Sequence, residues 1–264
     1  MIPAVEIKER ARESGVPTST IERDYCQNWL LSALRPINMA FKGGTGIRKV
    51  FIENYRFSDD LDFTLLEPVD AGALQAAVSD AVLRVREESG ILFEDDPGFR
   101  ETKTGFKATA RFRILNRGSS SPVKIDLDLT DPGQEDVLLP VSERPVFHPY
   151  SDGLSVSVAS YALEEIMAEK IRSLFQRSRS RDLYDIVQLA NRVDHRVVKS
   201  ILLRKCDAKG VVVDMAVLNG KREHFKDLWQ VSLGHQMSGV PDFDESFETM
   251  LEVIEGYSKK KSHS

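Results

Sequence analysis

Alternating polar and apolar positions dominate the first part of the chain, and helical spacing dominates the rest. Residues 3–13 read as a polar helix. Pro17-Thr18-Ser19 opens a second helix, with Glu22 three residues after Ser19 in the spacing of a capping box. Ile21, Tyr25, Trp29, Leu30, Ala33 and Leu34 then follow a helical period, which Arg35-Pro36 ends. Met39-Ala40-Phe41 is a short apolar run that stops at Gly43 and Gly44, as the end of a buried strand does. Asp60 to Leu65 alternates, with Asp60 and Asp62 on one face and Leu61, Phe63 and Leu65 behind them. Val69 to Ser89 carries a helical stripe of Ala73, Ala77, Val78, Ala81, Val82 and Val85, and Gly90 stops it. A short strand is expected over Ile91–Glu94, with a solvated acidic loop at Glu94-Asp95-Asp96.

Phe106 to Leu115 alternates again. Phe106, Ala108, Ala110, Phe112 and Ile114 share one face, and Lys107, Thr109, Arg111 and Arg113 make the other basic. After a Gly/Ser turn at Asn116–Pro122, Val123 to Thr130 places Val123, Ile125, Leu127 and Leu129 opposite Lys124, Asp126 and Asp128. Residues 131–151 read as a loop-rich connection with short strands near 137–141 and 145–147, and Leu154–Val158 as a strand. A domain change is expected near Ala159, giving domains 1–158 and 159–264. Beyond it, Ser160 opens a helix with Leu163, Ile166, Met167, Ile171, Leu174 and Phe175 as its core face. The next helix begins near Asp182, and Leu183, Ile186, Val187 and Ala190 line it. Further helices are expected over 193–203, 211–218, 224–233 and 245–257.

Composition narrows the partners. The 264 residues carry a net charge of −5, so any nucleic-acid contact must come from a local basic patch. The two cysteines, Cys26 and Cys206, are too few and too far apart for a disulfide framework or a cysteine-based zinc site. His148, His195, His224 and His235 lack metal-ligand spacing. No apolar run can span a membrane, no signal-peptide core opens the chain, and the expectation is a cytoplasmic protein without a membrane partner. The tail Lys259–Ser264 reads as solvated.

The chemistry concentrates between Phe41 and Leu65. Gly43 and Gly44 let the backbone come close to a ligand and point N–H groups at it. Thr45 adds a hydroxyl and can cap Gly46–Ile52 as a short helix, whose N-terminus would favour an anion. Asp60 and Asp62 repel each other unless a divalent cation sits between them, and Mg²⁺ takes one or two carboxylates plus substrate phosphates. A phosphate cradle followed by an Asp pair is equipment for nucleotidyl transfer.

Lys42-Gly43-Gly44-Thr45 followed by Arg56-Phe57-Ser58-Asp59-Asp60-Leu61-Asp62-Phe63 resembles the first motif of the AbiEii/AbiGii-type nucleotidyltransferase toxins, within the DNA polymerase β-like nucleotidyltransferase superfamily. Glu164-Glu165-Ile166-Met167-Ala168-Glu169-Lys170 resembles the family's Glu-Glu-Ile-x-Ala-Glu-Lys run, and Arg181-Asp182-Leu183-Tyr184-Asp185 its Arg-Asp-x-Tyr-Asp motif. Ile21-Glu22-Arg23-Asp24-Tyr25 resembles a Glu-Lys-Asp-Tyr segment, with Arg23 in place of Lys. Trp229…Leu233 and Pro241-Asp242-Phe243 resemble the C-terminus.

The resemblance implies an α+β fold: an N-terminal nucleotidyltransferase-type mixed sheet with flanking helices and a C-terminal helical domain closing the active-site cleft. It implies NMP transfer from an NTP to an RNA acceptor, tRNA foremost, with pyrophosphate release and a block of translation. Asp60, Asp62 and a third carboxylate, Asp126 ahead of Asp128, would hold Mg²⁺ or Mn²⁺. Gly43, Gly44, Thr45, Arg56 and Ser58 would cradle phosphate. Lys170 and Arg181 would neutralise charge, and Asp182 would join the catalytic set. An antitoxin encoded beside the toxin, often a winged-helix DNA-binding protein, is the implied partner. Arg111 and Arg113, with Arg177, Arg179 and Arg181, would form the basic track for RNA. Within the same chemistry the acceptor could instead be a protein hydroxyl or a small molecule. A non-catalytic nucleotide- or RNA-binding module is the reading from another class, and it leaves the Asp60/Asp62 pair without a purpose.

Overall fold

The computed structural model describes residues 1–115 and 122–258, in two compact units, Met1–Tyr161 and the residues from Ala162 onward. In the first unit eight strands form one mixed sheet: β1 Met39–Lys42, β2 Leu61–Leu65, β3 Leu92–Phe93, β4 Gly98–Thr102, β5 Gly105–Arg113, β6 Val123–Thr130, β7 Ser142–Pro145 and β8 Ser157–Ser160. Their order is β3-β5-β6-β2-β1-β8-β7, and β4 pairs with β5 beside β3. The pairs β2–β6 and β1–β8 are parallel and the others antiparallel.

The alternation decides which face is covered. Phe41, Leu61, Phe63, Leu65, Ile125, Leu127, Leu129, Ala108, Ala110 and Phe112 are buried in one cluster with Ile21, Leu30 and Leu34 of α2 (Thr18–Leu34) and Leu74, Val78, Val82 and Val85 of α4 (Ala71–Ser89). Removing such side chains from water contributes about 1.5–3 kcal/mol each. The opposite face of the central strands carries the carboxylates and lysines. A polar helix, α1 (Ala4–Ser14), precedes α2 and packs on it.

The second unit holds helices α5 Leu163–Gln176, α6 Ser180–Leu189, α7 His195–Ala208, α8 Met215–Gly220, α9 Arg222–Leu233 and α10 Phe243–Glu255. Helix α5 packs against α6 and α7, and α6 against α9 and α10. Tyr184, Trp229, Phe243, Phe247 and Phe225 form its aromatic core.

Local chemistry corrects several expectations. Ser19 and Glu22 make no capping box. Helix α2 starts at Thr18, so Ser19 lies within its first turn, and buried Glu22 accepts a hydrogen bond from the Leu115 N–H instead. Ser160 ends β8 and α5 starts three residues later. Leu74, not the exposed Ala73, belongs to the α4 stripe, and Asp70 caps that helix by accepting from the Ala73 N–H. Strand β4 has no alternation of burial and escapes the pattern; its partner β5 defines it. The strand expected near 145–147 forms about three residues earlier, as β7, and none forms over 137–141. The turn at Asn116–Pro122, Pro122 apart, and the Lys259–Ser264 tail lie outside the described residues. Both cysteines are buried free thiols, and no helix among the described residues is long and apolar enough to cross a membrane.

Candidate active site

The Gly-Gly turn ends β1 and begins a short helix, α3 (Gly43–Gly46), which continues as a π-helical turn over Ile47–Phe51. Thr45 therefore caps nothing. It lies inside the helix, and its hydroxyl donates to the Asp60 carbonyl, tying the turn to the start of β2. Two features demand glycine at position 43. Its φ is +74°, and a Cβ there would lie 2.2 Å from Asp62 Oδ2. At Gly44 a Cβ would come 2.8 Å from the Arg56 guanidinium and 3.1 Å from Ser58 Oγ. The absent side chains let Asp62, Arg56 and Ser58 crowd against the turn.

Helix α2 holds the loop that carries Ser58 to Asp60. Arg23 Nη1 pairs with Asp59 Oδ1 at 2.6 Å, and Gln27 Nε2 donates to the Ser58 carbonyl at 3.0 Å. Asp24 is fully buried. It pairs with Arg48 Nε at 2.6 Å and Lys49 Nζ at 2.8 Å, both from the π-helical turn, and accepts from Tyr150 OH at 2.7 Å. Burial alone would raise the Asp24 pKa, but the Arg48 and Lys49 charges outweigh it and hold the group far below the usual carboxylate range. Burial pushes Lys49 down to about 8. These acids and bases of α2 are thus long-range ties, not pairs along the helix: they brace the Gly-Gly turn and the Asp loop.

Register lines up four charged side chains across four strands. Lys42 opposes Asp62, Asp62 opposes Asp128, and Asp128 opposes Lys107. Pairing in register puts all four on one face. Asp128 is half-exposed, and its pKa is raised by burial and by the Asp62 charge. Asp126 is engaged elsewhere: its Oδ1 accepts from Thr109 Oγ1 at 2.8 Å, and its Oδ2 meets Lys107 Nζ at 3.1 Å and Lys124 Nζ at 3.3 Å. Burial would raise the Asp126 pKa, but the Thr109 and Lys107 bonds outweigh that and lower it. Asp128 is thus the acid that faces Asp62, and Asp126 the acid tied to Thr109, Lys107 and Lys124.

Among the described residues, no three His, Cys, Asp or Glu side chains already converge on one metal-sized point. Asp62 and Asp128, neighbours on adjacent parallel strands with Asp60 at the head of β2, nonetheless suit Mg²⁺, which takes one or two carboxylates and leaves its other positions to water and substrate phosphate. A cavity of about 280 Å³ lies at the other end of β1, lined by Leu34, Met39, Phe63 and Val158, away from this chemistry.

Gly43, Gly44, Thr45, Arg56, Ser58, Asp60, Asp62 and Asp126 thus gather around one end of β1 and β2. In the second unit, Lys170 and Asp182 belong to a cluster of their own. Lys170 Nζ sits between Asp182 Oδ1 and Asp185 Oδ2, 2.7 Å from each, and Arg177 Nε lies 3.2 Å from Asp182 Oδ2. No acid of its own helix is spaced to meet Lys170, and the partners come from α6. Glu165 and Glu169 of the same motif both pair with Lys205 of α7. Arg181 is half-buried at the start of α6. Sequence reasoning missed Lys107 as a member of the carboxylate row and Arg100, which opposes Lys107 from β4. Only the strand register could have found them.

One consequence can be tested at Gly43. Gly43→Ala should lose about 1–2 kcal/mol of stability from its left-handed backbone. It should also displace the Asp62 carboxylate, and a misplacement near 1 Å costs about 10²-fold in rate. Thermal melts and kcat/KM for the nucleotide read the two effects. Unchanged kcat/KM would mean that the contact with Asp62 does not position it.

A search of curated proteins finds no match to this chain. Among solved structures it is similar to MenT4, a nucleotidyltransferase toxin from Mycobacterium tuberculosis, at 19% identity and a TM-score of 0.66 over 99% of this chain and 91% of that one. It is also similar to JHP933 from Helicobacter pylori, at 16% identity and 0.59 over 92% and 93%. A further H. pylori structure, a putative nucleotidyltransferase, gives 16% and 0.56 over 90% and 94%. Identities this low show a shared fold alone. The sequence itself matches the family model described as nucleotidyl transferase AbiEii toxin, type IV TA system, over residues 29–253, a span that includes the Gly-Gly turn, both Asp-bearing strands and helices α5 and α6. The chain therefore belongs to the AbiEii nucleotidyltransferase toxin family of type IV toxin–antitoxin systems.

Proposed function

We propose that the protein transfers a nucleoside monophosphate from an NTP to an RNA 3′ hydroxyl, tRNA being the preferred acceptor, and that this blocks translation. The observation that carries the reading is the in-register pair Asp62 and Asp128 beside a Gly-Gly turn crowded by Arg56 and Ser58. The acceptor oxygen attacks the α-phosphorus, the bond to the β-phosphate oxygen breaks, pyrophosphate leaves and the hydroxyl proton passes to water. Mg²⁺, held by Asp60, Asp62 and Asp128, would supply charge neutralisation on the phosphates and a more nucleophilic hydroxyl. Gly43 and Gly44 offer backbone to the phosphates, and Arg56 and Ser58 add a cation and a hydroxyl. In this reading Lys170 and Arg181 neutralise further triphosphate charge, with Asp182 orienting Lys170. The cognate antitoxin is a separate protein that opposes the toxin's effect.

Support for a polyanionic acceptor comes from the exposed Arg100 and Arg111 on β4 and β5, strands that continue the charged row. RNA binding should weaken steeply with salt through counterion release. Arg100→Glu with Arg111→Glu should raise KM for RNA and leave NTP binding nearly unchanged. The deciding experiment incubates the protein with each labelled NTP, Mg²⁺ and total RNA. Label appearing in the tRNA band supports the reading, whereas label confined to protein or small molecules moves the acceptor to those classes.

A further inference from the structure

We propose that Lys107 is a built-in competitor for the divalent cation. Its ammonium occupies the carboxylate row until a metal displaces it, and Asp126 is its anchor and not a metal ligand. The inference rests on the metal-binding reading of Asp62 and Asp128 given above, and it concerns residues to which that reading assigns no task.

Three observations carry it. First, Lys107 stands opposite Asp128 across β5 and β6, and Asp128 stands opposite Asp62 across β6 and β2, so its side chain enters the row from the β5 side. Second, Nζ lies 3.1 Å from Asp126 Oδ2 and 3.6 Å from Asp128 Oδ1. It therefore shares the very carboxylate that a metal would need. Third, the Lys107 side chain is only 23% exposed, so its ammonium is held at the row rather than free in solvent. An ammonium in this place supplies the row with about one positive charge in the absence of metal.

The two contacts of Lys107 differ in kind. Asp126 is mostly buried, is oriented by Thr109 Oγ1 and also meets Lys124. Asp128 is the more exposed of the two and makes the longer contact. A cation arriving at Asp62 and Asp128 would break the weaker contact and leave the stronger one. Lys107 would then stay beside the metal and repel it, because its stem is fixed to β5. Two such charges a few ångströms apart weaken metal binding by roughly tenfold even in a solvated setting. The affinity of the site is thus held down, so that the cation binds firmly only when nucleotide phosphates add their negative charge.

The test measures Mn²⁺ binding to the full chain without nucleotide, by electron paramagnetic resonance of the free ion. Lys107→Gln should bind Mn²⁺ roughly tenfold more tightly than the wild type. Lys107→Arg, which keeps the charge, should stay within about twofold of wild type, and so should Lys103→Gln, which removes an equal charge from the β4–β5 turn outside the row. Lys107→Met keeps the packing of the stem and reads the same quantity if the Gln variant disturbs the sheet. Equal or weaker Mn²⁺ binding by Lys107→Gln and Lys107→Met overturns the proposal while the metal site stands. Absence of Mn²⁺ binding in the wild type and all variants overturns the proposal together with the metal-binding reading.

Discussion

Asp62→Asn is expected to abolish nucleotidyl transfer and, in the metal-free protein, to make the fold slightly more stable. The activity loss follows from the register. Asp62 and Asp128 oppose each other in register on the polar face, and a neutral amide at one of them removes one of the three negative charges proposed to hold a divalent cation. The loss of kcat/KM should reach at least about 10³-fold, the upper end for removing one preorganised electrostatic contact. The stability gain has the same origin. Burial and the Asp62 charge already raise the pKa of Asp128, so the two carboxylates repel in the folded chain. Relieving cross-strand repulsion of this kind contributes roughly 0.2–1 kcal/mol. A residue kept only for packing would show the opposite sign. Transfer assays and metal-free thermal melts measure the two effects, and near-wild-type transfer by Asp62→Asn would falsify the assignment.

Lys170→Ala should have the largest effect on stability. Lys170 is the cation between two carboxylates that are almost fully buried, Asp182 and Asp185. Deleting one partner of a buried ion pair leaves uncompensated charge and costs about 3–5 kcal/mol. Lys170→Arg should recover part of this, since its planar fork cannot reproduce a point charge between two acids. The same cluster predicts a pH dependence. Burial alone would raise the Asp182 pKa, but the Lys170 and Arg177 charges outweigh it, so the folded value lies below the ordinary 3.8. A depressed folded pKa means that the unfolded chain binds the proton first. The stabilisation is complete above the unfolded range and is lost as pH falls below about 3.8 towards the folded value. Acid unfolding of wild type and Lys170→Ala, followed by circular dichroism, should show a larger acid-dependent loss in the wild type, since Arg177 still faces Asp182 in the variant. If Lys170→Ala melts like the wild type, the cluster does not hold α5 to α6.

Much of this was legible along the chain because one face of each central strand is buried. Alternation at Asp60–Leu65, Phe106–Leu115 and Val123–Thr130 located β2, β5 and β6, with β5 ending at Arg113, and put their acids and bases on the polar side. The Gly-Gly turn and the Asp pair were legible for a related reason: glycine is needed where a left-handed backbone meets a close side chain, and Gly43 has both. Strand β4 was not legible, since it lies at an edge without a buried face and its apolar content is small.

Pairing was the part that only the tertiary structure decided. The sequence alone determined the strand faces, the glycine turn, the helical second half and the presence of Asp126 and Asp128 on one side of β6, because local sterics and a two-residue period suffice for these. It could not rank the two acids, since they are equivalent within their own strand. The parallel register of β6 on β2 separates them, by placing Asp128 against Asp62 and leaving Asp126 to Thr109 and Lys107. The same holds for Lys170, whose partners lie on the next helix, and for Asp24, whose partners lie more than twenty residues away. Charge partners across elements depend on how those elements pack, and packing is a property of the whole chain rather than of any short stretch of it.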